Sequence, residues 1–158
     1  MTAVKLGRLE AELSPGRVVL RGRIDDSSPL GELAAQVAPG NVVVDTDGVT
    51  FINSIGMREW MRFVRTLKAR GRVTYERVAA VLITQMNMLP EFDGSAITSF
   101  HAQYECGACG AEAVLLVDAV AHAEELRGMR APKLPCPECG QPMALADFPE
   151  RYLSVFKA

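Results

Sequence analysis

The chain has 158 residues, 49% apolar and 23% charged, with a formal net charge of -2. That composition suits a globular protein able to build its own core, either as one domain or as a domain of about 100 residues with a small appendage. The near balance of charge offers no bulk attraction for a polyanion, and no run of roughly 18 apolar residues speaks for a membrane-spanning helix. Residues 1–10 carry Lys5 and Arg8 and no continuous apolar stretch, which argues against a secretory signal. The expected compartment is therefore the reducing cytoplasm.

Arg17 to Ile24 alternates and is valine-rich, so it reads as a strand after the turn Ser14-Pro15-Gly16. Ser28 before Pro29 has the form of a helix start, predicting a helix over 29–38 that stops at Pro39-Gly40. Asn41 to Asp45 is a short apolar run with a polar end, the pattern of a strand buried on both faces. Val49 to Ile52 is apolar again. A helix over 55–69 follows, with Met57, Trp60, Met61, Val64 and Leu67 on one face and Arg58, Arg62 and Arg65 on another. Gly71 closes it. Arg72 to Tyr75 predicts a strand, Ala79 to Met88 a helix, and Ser95 to Tyr104 a last strand. Strand and helix thus alternate, which predicts an α/β fold with a parallel or mixed sheet and helices packed on it.

The composition shifts near Tyr104. All four cysteines, with Pro132, Pro135, Pro137 and Pro142, fall between there and Met143. This predicts two units, 1–103 and 104–158. The second unit contains Cys106-Gly107-Ala108-Cys109-Gly110 and Cys136-Pro137-Glu138-Cys139-Gly140. Two residues between cysteines followed by glycine form a knuckle in which both sulfurs face one ion. Two knuckles supply four thiolates, the ligand set of tetrahedral zinc with no open position, so the metal is expected to be structural. Disulfides, a redox dithiol and an iron–sulfur cluster are the competing readings, and the last two fit the paired spacing less well. His101 and His122 are ligand candidates only if a cysteine fails. Between the knuckles, residues 113–117 predict a strand and 118–126 a helix. Beyond them, 143–146 predict a strand and 149–156 a short helix. A unit this small has a thin core, so metal binding should supply much of its folding free energy.

The residues Val42-Val43-Val44-Asp45, then Gly48-Val49-Thr50-Phe51-Ile52-Asn53-Ser54-Ile55-Gly56, together with Gly22-Arg23-Ile24-Asp25, resemble the STAS domain of bacterial anti-sigma factor antagonists. The resemblance covers residues 4–103. It implies a STAS-like mixed sheet and a non-enzymatic signalling role, with a protein partner docking on the Ser54 turn and the helix after it. In the family that partner is an anti-sigma factor with kinase activity, which phosphorylates the serine matching Ser54. Asn53 stands where the family has aspartate and Ile55 where it has a second serine. Ser54 therefore has two readings, a phosphorylation site at a helix start or a side chain that caps the helix. Arg58, Arg62 and Arg65 likewise read either as a solvated face or as part of a docking surface that includes Asn53 and Ser54.

No phosphate loop or nucleophilic triad stands out, so an enzyme is not expected. The alternative function places recognition in the zinc unit, as an adaptor docking on nucleic acid or a larger complex through Arg127, Arg130, Lys133 and Arg151. Glu112, Glu124, Glu125, Glu138 and Glu150 dilute that charge.

Overall fold

In the computed structural model, which describes residues 1–157, two sheets share one apolar core. The first sheet holds β1 (Thr2–Leu6), β2 (Leu9–Ser14), β3 (Arg17–Ile24), β4 (Val42–Ile52) and β5 (Val73–Glu76), lying side by side in chain order. The first three form an antiparallel meander, and β3, β4 and β5 are parallel. Strand β2 was not among the expected elements, yet Leu9, Ala11 and Leu13 alternate inward and are buried. Its alanine and glutamates are depleted in strands generally, so only tertiary pairing reveals it.

The apolar runs 41–45 and 49–52 form one continuous strand, β4. Its pairing with β3 shifts by one residue between Val19 and Arg21 and again between Gly22 and Arg23, and these irregularities absorb the extra length. The helix expected over 29–38 is shorter: α1 (Leu30–Leu33) runs into a 3-10 turn at Ala34–Gln36. Ser28 does not cap it. Its hydroxyl is buried and donates to the Arg23 carbonyl at 2.8 Å, so Pro29 occupies the cap position without a side-chain bond.

Helix α2 (Ser54–Lys68) buries Trp60, Phe63, Val64 and Leu67 and packs on α1. The tryptophan is fully enclosed among Phe63, Tyr75 and Phe92. Helix α3 (Ala80–Met86) packs against β4 of the first sheet and β6 (Ser99–Cys106) of the second.

The second sheet is antiparallel, ordered β7 (Glu112–Asp118), β6, β9 (Pro142–Leu145), β8 (Leu134–Pro135). The strand expected to end the α/β unit is therefore an inner strand of this sheet, and it runs through residues 103 and 104 into Cys106. Its backbone pairing toward the first sheet is limited to isolated bridges, Tyr75 to Ile97 and, just past β5, Val78 to Phe100. Strand β5 is too short to offer more, and a 3-10 turn at Gly94–Ala96 redirects the chain. Helices α4 (Ala123–Arg127) and α5 (Pro149–Leu153) close the second half. Phe156 then packs on Phe100 with ring centroids 5.1 Å apart and the rings tilted by 34°. Among the described residues, no helix is long and apolar enough to cross a membrane.

Candidate functional site

The second sheet consists of two hairpins, β6–β7 and β8–β9, and each turn between strands is one cysteine knuckle. The knuckles share one hydrogen-bond pattern. The amide of Cys106 donates to Ala111 at 2.8 Å, and that of Gly110 donates to Cys106 at 2.9 Å. Cys136 to Gln141 at 2.8 Å and Gly140 to Cys136 at 2.9 Å repeat it. Gly110 and Gly140 have φ of +76° and +77°, the left-handed conformation that lets the chain turn back at no steric cost. Because β6 pairs with β9, placing Cys106 opposite Met143, the two turns lie side by side.

The four sulfurs converge as a result. Cys106 and Cys139 are 3.6 Å apart, Cys109 and Cys136 3.7 Å apart, and all four sulfurs lie within 4.8 Å of one another. A metal–sulfur distance of about 2.3 Å gives a tetrahedral edge of about 3.8 Å. The sulfurs are thus spaced as ligands of one ion, and all four cysteines are positioned to bind it. Cys106 and Cys136 are buried, whereas Cys109 and Cys139 face solvent.

Without a cation the cysteines do not share one acidity. The Cys109 amide, helped by that of Ala108, pulls the Cys106 thiol down to about 7. The Ala111 amide favours the Cys109 thiolate, but Cys139, burial, Cys106 and Cys136 together outweigh it and push that thiol up to about 12. Four thiolates this close repel one another unless a cation sits between them, and a soft divalent ion such as zinc suits that donor set. Neither histidine joins the cluster. His101 Nε2 lies 2.5 Å from Asp47, and His122 Nδ1 lies 3.2 Å from Glu125.

The Ser54 turn lies where β4 hands over to α2. Asn53, not Ser54, caps the helix, its Oδ1 accepting from the Gly56 amide at 2.8 Å. Ser54 is the first helical residue and is exposed. Gly56 seats the helix against β3, since a Cβ there would lie 1.9 Å from the Ile24 carbonyl oxygen. The arginine row divides. Arg65 forms a two-pronged pair with Glu91 at 2.6 and 3.1 Å, and Arg62 pairs with Glu59 at 3.2 Å. Arg58 is exposed and lines a groove with Ser54, Met57, Met61, Met88 and Leu89.

Sequence reasoning missed the role of Asp45. Its carboxylate is fully buried and accepts from Arg17 at 2.9 Å, from Arg77 Nε at 3.0 Å and from the Asp47 amide at 2.9 Å. Arg77 is held in the left-handed region at φ 48°, its amide donating to Ser99 Oγ at 2.9 Å. The only signal in the sequence was an aspartate ending an apolar run. The arginines that satisfy it are distant in the chain. No protein-family model and no curated protein matches this chain.

Proposed function

We propose that the chain is a non-enzymatic regulatory protein of the STAS type that binds a protein partner through the Ser54 turn and the start of α2, with a structural zinc ion held by Cys106, Cys109, Cys136 and Cys139. The observation that carries the partner reading is the division of labour at the turn. Asn53 caps α2, which leaves the exposed Ser54 hydroxyl with no structural duty there. Beside it, Met57, Met61, Met88 and Leu89 form an apolar groove with Arg58 at its rim, and Ile55 is 48% exposed. Methionines make such a surface adaptable, and an arginine at its edge selects acidic groups. Phosphate on Ser54 adds about -1.5 to -2 charges at a helix start, within the field of the α2 dipole, and so changes the surface without refolding it. The parallel β3–β4–β5 arrangement, with α2 opening directly after β4, supports the STAS reading.

Affinity capture from a bacterial lysate, comparing wild type with Ser54→Ala and Ser54→Asp, tests the partner reading. A partner retained by wild type and Ser54→Ala but lost with Ser54→Asp is the expected result. An unchanged bound set rejects the switch. Native mass spectrometry should show one zinc per chain, lost on Cys109→Ser.

A further inference from the structure

Two sheets have four edges, and three of them are guarded. Strand β1 carries exposed Lys5, β5 is four residues long and bridged at Tyr75 by Ile97, and β8 is two residues long and ends at Pro135. Charge, cover, brevity and proline are the usual ways to stop an edge from recruiting another strand. Strand β7 carries charge only at its two ends, with the apolar run 113–117 between them. It spans Glu112–Asp118, and among the described residues no strand lies on its outer side.

The ladder fixes which groups face outward. Cys106 donates to Ala111 and Ala119 donates to Thr98, so the odd-numbered residues 111 to 119 bond to β6. The even-numbered residues of β7 therefore turn their amides and carbonyls away from β6, since bonded and non-bonded pairs alternate in an antiparallel ladder. Those same residues carry the exposed side chains. Val114 is 52% exposed and Leu116 45% exposed, flanked by exposed Glu112 and by exposed Asp118, whose Oδ1 accepts from the Val120 and Ala121 amides and leaves Oδ2 for a cation. Two apolar residues with free backbone groups, bracketed by two carboxylates, make a self-contained strand-docking unit.

A second copy of this chain is a poor occupant. Antiparallel pairing of Val114 with Leu116 of the copy sets Glu112 against Asp118 twice. Sliding by two residues in either direction sets a carboxylate against Leu116 or Val114. Like charges directly opposite are destabilising.

We propose that the outer edge of β7 is a strand-addition site for an extended peptide of a partner protein, with the pattern cation-x-apolar-x-apolar-x-cation. The apolar residues sit opposite Val114 and Leu116, and the cations opposite Glu112 and Asp118. The pattern is symmetric, so either strand direction satisfies it. This site is separate from the Ser54 turn and does not depend on the function proposed for it.

The probe is a blocked heptapeptide, Lys-Thr-Val-Thr-Val-Thr-Lys, compared with its twin bearing glutamate at both ends, with amide exchange of the full zinc-loaded chain followed by NMR. The lysine peptide should slow exchange at Val114 and Leu116 saturably, and the glutamate peptide should bind about tenfold more weakly or worse. Leu116→Pro removes an outward amide without touching the β6 ladder, and it should abolish protection. Val114→Lys, which leaves the backbone intact, should also reject the lysine peptide. Equal protection by both peptides, protection by neither, protection that survives both substitutions, or protection of the same amides by self-association of the free chain would each overturn the proposal.

Discussion

Strands β2 to β4 bury Leu9, Val18, Leu20 and Val44 against helices that contribute Leu30, Leu33, Trp60, Phe63 and Leu82, all enclosed on every side. Strands β7 to β9 contribute little beyond Val117 and Met143, and their outward residues Val114 and Leu116 stay exposed. Each fully buried aliphatic or aromatic side chain stabilises by about 1.5–3 kcal/mol, so the first region has an apolar core large enough to hold without a metal. The second lacks that material and places four cysteines where a core would be. One strand belongs to both accounts, since β6 carries Phe100 and Tyr104 in the shared core and Cys106 in the cluster. The apolar core and the cysteine cluster positioned for a metal are therefore joined along a single strand.

Metal removal should break the comparison most visibly. Structural zinc in small domains contributes apparent binding free energy of about 10 kcal/mol or more, coupled to folding. Treatment with a zinc chelator should bring amides of β7 and β9 to the exchange rates of an unfolded chain, while those of Val18, Leu20 and Val44 stay protected. Equal loss in both regions would show that the two cannot be separated.

Asp45→Ala probes the opposite side. It strips a buried carboxylate from Arg17 and Arg77 and frees the left-handed Arg77 turn. Breaking a buried pair by removing one partner costs about 3–5 kcal/mol, and the low end applies because both arginines are partly solvated. Urea unfolding should show the loss in the first region, and metal content should be unchanged. Loss of metal as well would mean that the Arg77–Ser99 link transmits strain to the cluster.

What the sequence made legible follows the same division. The cysteine cluster was readable because its chemistry is local: each CxxCG sets two ligands and a turn within five residues. Strands β3 and β4 and helix α2 were readable from their periodicity. What escaped was long-range. Strand β2 has weak propensity and is defined by its neighbours, and β6 was assigned to the wrong sheet because an alternating pattern says that a strand exists, not what it pairs with. Asp45 looked like a strand end because its partners are 28 and 32 positions away.

The smallest effect separates two adjacent residues at the start of α2. Asn53 Oδ1 satisfies the Gly56 amide, one of the donors that a helix start leaves without an intrahelical partner. Asn53→Ala removes that bond and should cost about 1 kcal/mol. Ser54 makes no capping bond and is exposed, so Ser54→Ala should fall within about 0.5 kcal/mol of wild type. Paired urea titrations read the difference directly. If Ser54→Ala cost as much as Asn53→Ala, the serine would be holding the helix, and its availability for a partner or for phosphate would fall with it. If Asn53→Ala alone is destabilising, capping belongs to Asn53 and the exposed Ser54 hydroxyl has no part in holding the helix.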